Sequence, residues 1–259
     1  MSIPGAFRVA YRDLLFLRKL WKANLMATVI QPFFYLLGIG FGVGKLVDQG
    51  ATSPTILNDI SYLAFYATAL PATTAMFSAG QFALWPTLDG FNWSNAYKAM
   101  VATPLDARDV VAGYILHLTL RTAIGATGTT IALLIFEQTR SWRLVGVLPA
   151  AVLTGLAFAL PIASWASTRQ SDRSFTVIVR FVLVPMFLFG GTFYPIEQLP
   201  PLLAAVAKIS PLWHGIELSR DLMLTGASLT TAVHALVLVG FITGGWVLSS
   251  ITFRRRLQQ

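Results

Sequence analysis

Arg121 stands inside a long apolar run, Val110 to Phe136, with His117 one helical turn earlier on the same face. A guanidinium in a stretch of that kind is costly to bury in hydrocarbon, so it should face protein or water. There its planar fork could take a phosphate or headgroup, or pair with a carboxylate or backbone carbonyls of another helix. The chain offers little else that could do chemistry. It has no cysteine, which excludes disulfides, thiolate metal sites and cysteine nucleophiles. His117, His214 and His234 are isolated in sequence, without metal-ligand spacing. No carboxylate pair lies within an apolar window, so neither an intramembrane hydrolase nor a relay of embedded acids is expected. The run GIGFGVGKL, 38–46, has the glycines of a phosphate loop but puts Ile39 where glycine is required and Leu46 where Ser or Thr is required. No nucleotide-hydrolysing motif is present, and Gly38, Gly40, Gly42 and Gly44 read instead as sites of close helix contact.

Long apolar elements must position these residues. The 259 residues are 55% hydrophobic and only 12% charged, with a mean hydropathy of +0.66, against roughly 25% charged in ordinary globular chains. Crossing about 30 Å of hydrocarbon takes roughly 20 apolar residues. Six windows meet that need: 25–44, 60–85 with Pro71 as its expected kink, 110–136, 144–165, 177–193 and 229–253. They are too long and too continuously apolar for barrel strands. The expected fold is an all-α polytopic membrane protein with six transmembrane helices in one domain, 1–259.

Orientation follows from the basic residues. Thirteen Lys and Arg fall in the N-terminal segment, the 86–109 and 166–180 connections and the tail, against five in the opposite connections. The positive-inside rule then puts both termini in the cytoplasm of a multi-pass protein of the inner (plasma) membrane. This topology and contact with anionic lipid account for the net charge of +8 without nucleic acid. Trp21, Trp85, Trp142, Trp165 and Trp246 fall near span ends, as interfacial anchors do.

Three connections carry structure of their own. Residues 1–23 put Phe7, Tyr11 and Leu14 on one stripe and Arg8, Arg12 and Lys19 on another, the pattern of an interfacial helix. The 91–109 segment reads as a protruding helix–turn–helix in which Asp106 caps the second helix after Pro104. Between spans five and six, 194–226 holds two apolar stretches too short to cross, expected as re-entrant helices. Glu217, Arg220 and Asp221 are spaced to form a charged outer face there.

Four segments, QPFFYLLGIGFGVGKLV, YKAMVATPLDARDVVAGY, FLFGGTFYPIEQLPPLL and PLWHGIELSRDLM, occur in an order that resembles the membrane subunits of type 2 ABC exporters. Within that family the chain is most similar to the permeases for nodulation-factor lipo-oligosaccharides and to daunorubicin-type drug exporters. The resemblance implies a half-transporter that pairs with a second permease copy, as a homodimer or a heterodimer, and recruits two copies of a separate ATPase subunit. ATP and Mg would be bound on that partner, with no cofactor in this chain. It further implies a coupling region at 91–109 carrying Tyr97, Lys98, Pro104, Asp106, Arg108 and Asp109. Arg121, His117, Phe33, Phe34, Tyr35 and Phe41 are candidates for the substrate path, and Tyr194, Pro195, Glu217 and Arg220 for an external gate. Tyr114 stands where the nodulation-type members often carry Glu. The function expected is export of a lipid-linked or amphipathic glycan. The alternatives are a hydrophobic drug or lipid exporter and, from another class, a membrane-bound enzyme.

Overall fold

A computed structural model describes residues 5–19, 21–50 and 60–258; within these, the side chains of Trp21, Phe41 and a few others lie outside the description. No strand occurs among the described residues. The helices, in chain order, are α1 (Gly5–Lys19), α2 (Trp21–Tyr35), which continues through a π-helical stretch (Leu36–Val43) into α3 (Gly44–Asp48), and α4 (Tyr62–Leu88). After a further π turn come α5 (Ala96–Val101), α6 (Ala107–Ile135) and α7 (Leu144–Ala166). Then follow α8 (Phe175–Ile178), a π stretch (Val179–Leu183), α9 (Val184–Phe189), α10 (Pro201–Ile209), α11 (Pro211–Arg220) and α12 (Leu229–Leu257).

Among the described residues four helical stretches are long and apolar enough to cross a bilayer: Thr28–Asp48, α6, α7 and α12. The other two expected spans take different forms. α4 is a 27-residue helix without a charged residue that continues through Pro71, its apolar character diluted by Thr, Ser, Gln and Pro. The fifth window gives only a 15-residue apolar helix, Phe175–Phe189, about 22 Å long at 1.5 Å per residue.

Local chemistry sets the helix boundaries. Ser61 accepts from Ala64 N at the start of α4, and Asp106 with Asp109 forms a reciprocal capping box on α6. Gly226, at φ 98°, turns the chain before Ser228 caps α12 in a second box with Thr231. Hydroxyls inside the helices find acceptors locally: Thr119, Thr122, Thr127 and Thr130 of α6 each donate to the carbonyl four residues back.

Packing relies on small residues. On Gly128 of α6 a Cβ would lie 2.7 Å from Thr28 Cβ and 2.9 Å from Thr28 O, so α2 and α6 touch nearly backbone to backbone. α1 lies along the first part of α6, with Val9 buried against Gly113. The glycine run behaves differently from expectation: Gly40 and Gly44 face Leu63 and Tyr62 of α4, while nothing lies within 4 Å of a Cβ at Gly38 or Gly42. Every second glycine of the run therefore makes the helix contact expected of all four.

Candidate functional site

A cavity of about 430 Å³ lies between α2, α4 and α6, with Phe187 of α9 on its rim. Arg121 of α6 enters it with its guanidinium carbon 3.7 Å from the centroid of the Phe82 ring, a cation–π contact that suits a partly desolvated Arg. No carboxylate pairs with Arg121 among the described residues. The α4 wall presents Thr74, Ser78, Gln81 and Trp85, and α6 adds Thr129, whose hydroxyl lies 3.0 Å from that of Thr74. Tyr35 and Gln31 close the α2 side, the Gln31 amide 3.3 Å from the Tyr35 hydroxyl.

Of the path candidates, the structure brings Arg121 and Tyr35 together here and separates the others. Phe33 packs its ring 5.6 Å from Phe136. Phe34 points away from the bundle at 63% exposure. The side chain of Phe41 lies outside the described residues. His117 is not on the cavity wall, and its Nδ1 is buried without a hydrogen-bond partner among the described residues. Sequence reasoning missed the α4 wall. Its signal was present: Thr74, Ser78, Gln81 and Trp85 follow a spacing of four, three and four, one face of a helix in an uncharged window.

At one end of the bundle the 89–109 segment forms a compact elbow. Asn95, at φ 50°, takes the left-handed conformation that Asn tolerates and starts α5. Tyr97 is buried, its ring 4.9 Å from Phe91, 6.1 Å from Tyr114 and 5.8 Å from Phe253. It therefore fixes α5 to the bundle and presents no surface. Tyr114 joins this cluster and shares a 2.6 Å hydrogen bond with Thr87 of α4. An aromatic hydroxyl thus bridges two helices at position 114. Lys98, Pro104, Asp106 and Arg108 are exposed, as is Trp93, and Asp109 is half-buried in its capping box.

At the other end, α10 and α11 are short helices hinged at Ser210, which caps α11 through Leu212 N. The charged outer face expected from Glu217, Arg220 and Asp221 is not one. The Arg220 side chain is only 15% exposed, ion-paired with Glu217, stacked 4.2 Å over Phe65 and bonded to Thr68 Oγ1 and Gly191 O. Asp221 accepts from Thr231 of α12. The spacing rule gives a shared face; tertiary contacts with α4 turn that face inward. Burial pushes the Glu217 carboxyl above its ordinary pKa, opposed by the charge of Arg220. Tyr194 and Pro195 are half-buried in the turn before Ile196. The histidines are also not all isolated: His214 and His234 approach to 2.8 Å between Nδ1 atoms, brought together by α11 and α12. No three His, Asp or Glu side chains gather as a metal site among the described residues.

Comparison with known proteins places this geometry. The ABC-2 type transporter model matches residues 7–224. Nodulation protein J of Rhizobium leguminosarum bv. viciae is 28% identical over 248 residues, 96% of this chain and 93% of that one. The protein of the same name from Neorhizobium galegae is 29% identical over 248 residues, covering 96% and 92%. The inner membrane transport permease YadH of Escherichia coli K12 is 23% identical over 196 residues, covering 75% and 73%. With a family match over most of its length and several apolar helices of bilayer-crossing length, the chain is a multi-pass transporter permease that belongs to the ABC-2 type transporter family.

Proposed function

We propose that the chain is the membrane half of an ATP-driven exporter whose cargo is a lipid-linked or otherwise amphipathic glycan. The cavity carries this reading: a guanidinium that meets no carboxylate among the described residues, beside aromatic rings and a wall of hydroxyls and amides. Rings accept the apolar face of a sugar, hydroxyls and amides its OH groups, and the guanidinium an anionic group near them. The resemblance to lipo-oligosaccharide permeases, and relatives named for nodulation, support the same class.

In this reading α4 and Phe175–Phe189 are the second and fifth of six spans, α10 and α11 are re-entrant outer helices, and both termini are cytoplasmic. The buried turn Gly190–Thr192 completes the short fifth passage under cover of protein. Counting about 20 residues back from Ile135 puts the inner edge of the hydrocarbon near Leu116. Arg121 then sits just inside that edge, and the cavity opens at the depth of the inner leaflet.

The chain has no nucleotide-binding motif. ATP and Mg are assigned to two copies of a separate ATPase, and a second permease copy completes the transporter. The exposed residues of the elbow, Trp93, Lys98, Pro104 and Arg108, form the docking face. α4 and α6 both enter the elbow and both wall the cavity, so closure of the ATPases would reshape the cavity directly.

The test is reconstitution of the chain with an ATPase encoded beside it, measuring ATP-dependent appearance of a fluorescent glycolipid in the opposite leaflet. Transport by the chain without an ATPase would end the motor assignment. ATPase stimulation by cationic amphiphiles and not by glycolipids would move the cargo to the hydrophobic-drug class.

A further inference from the structure

α12 is gripped at both ends. Near its C-terminus, Phe253 is fully buried with its ring 5.0 Å from Phe91, 5.8 Å from Tyr97 and 5.1 Å from Tyr114. Three residues on, Arg256 lies 4.5 Å over the Phe91 ring and donates to Asn92 Oδ1 and to the Ser167 carbonyl. Asn92 in turn donates to Gln170 O at 2.7 Å. A planar guanidinium with two acceptors and a ring face is held in one orientation, and a single ammonium would not reproduce it.

The other end meets α11. His234 shares the 2.8 Å Nδ1 contact with His214, and both imidazoles pack on Trp213, at 5.0 and 4.8 Å. Thr231 donates to Asp221 at 2.9 Å, just beyond the end of α11. Between these two grips α12 is one uninterrupted 29-residue α-helix without proline. It comes close to α7 at Gly245, where a Cβ would lie 2.6 Å from Pro161 Cδ, and one turn on Ser249 donates to Leu160 O at 2.9 Å. Arg256 and His234 lie equally far from Gly245, about 16 Å each way at 1.5 Å per residue. Whether the helix tilts about that contact or slides past it, a displacement at one end reappears at the other with about the same size.

We propose that α12 is the mechanical link from the 91–109 elbow to the outer helix α11, taking up motion through Phe253 and Arg256 and delivering it through His234 and Thr231. Arg256 and His234 are positioning residues in this link. The inference rests on the proposed docking of an ATPase at the elbow.

Hydrogen exchange on the complex of the full chain with its ATPase tests it, with and without a non-hydrolysable ATP analogue. In the parent complex the nucleotide should change exchange in both 91–106 and 211–226, by roughly twofold to thirtyfold at the second, the range that packed networks transmit. Arg256→Ala should keep the response at 91–106 and lose it at 211–226, with Arg256→Lys intermediate. His234→Ala, cut at the far end, should do the same without touching the elbow. An unchanged response at 211–226 in Arg256→Ala and His234→Ala overturns the link. A parent response confined to 91–106 also overturns it while leaving the docking assignment standing. No response at either segment, or no complex with the ATPase, overturns both.

Discussion

Gly128→Ala should weaken the seam between α2 and α6, while Gly125→Ala, three residues earlier on the same helix, should not. The two positions differ in what a methyl group meets. At Gly128 it lands within 3 Å of both Thr28 Cβ and the Thr28 carbonyl, so backbone must move. At Gly125 the nearest atoms are Ser78 Oγ at 3.7 Å and Thr28 Cγ2 at 4.0 Å, ordinary contact distances. Both substitutions gain about 0.5–1 kcal/mol from the lost flexibility of glycine. Only Gly128→Ala adds overpacking, about 1–3 kcal/mol. At about 2–4 °C per kcal/mol for a chain of this size, Gly128→Ala should melt roughly 2–12 °C below Gly125→Ala. Thermal unfolding in detergent, followed by near-ultraviolet circular dichroism, measures the difference. Because Thr28 also lines the cavity, Gly128→Ala should bind dodecyl maltoside more weakly as well. Equal melting temperatures would refute the backbone contact on which the shape of the cavity depends.

Arg121→Met keeps the bulk of the side chain and removes its charge; affinity for dodecyl phosphate should fall about tenfold to a hundredfold, the worth of a charge-assisted hydrogen bond, with dodecyl maltoside little changed in a fluorescence titration. Tyr114→Phe deletes the hydroxyl that meets Thr87 at 2.6 Å and should cost about 1 kcal/mol, seen as a lower melting temperature with the ring cluster retained. Arg220→Met leaves Glu217 half-buried without its partner and should cost about 3–5 kcal/mol, part of which Glu217→Gln in the same chain should restore. Burial and the neighbouring His234 hold the His214 pKa below its ordinary 6.5. The stability it contributes is therefore present above pH 6.5 and lost as pH falls. A hydrogen bond with the Lys208 backbone favours the charged His214 ring and opposes that shift, and Glu217 lies close enough to His234 to favour its charge. Cross-linking of cysteines introduced on α11 and α12 should report separation of their ends in acid.

Much of the architecture was legible because bilayer thickness imposes a length on apolar windows, and composition alone reveals those lengths. Asp106 after Pro104 gave the start of α6 for the same reason of local chemistry. That Arg121 needs a protein or water surrounding was legible because charge is rare in the middle of an apolar run, and it lines a cavity. Features made by tertiary contact were not. The approach of His214 to His234 spans twenty residues and two helices. The inward turn of Glu217 and Arg220 depends on Phe65 and Thr68 of α4. The α4 wall was readable in principle, but Thr, Ser and Gln in an uncharged window look like dilution until a cavity gives their common face a purpose.

Four hydroxyls of the cavity wall have committed their protons within their own helices. Thr73 and Thr74 donate to Leu70 O, Ser78 to Thr74 O and Thr129 to Gly125 O. What these hydroxyls turn toward a guest is lone pairs, while the Gln81 amide, the Trp85 indole and the Arg121 guanidinium carry N–H donors, so the chamber offers both kinds of partner. A molecule studded with OH groups, each able to give and to take a hydrogen bond, would match such a mixed lining.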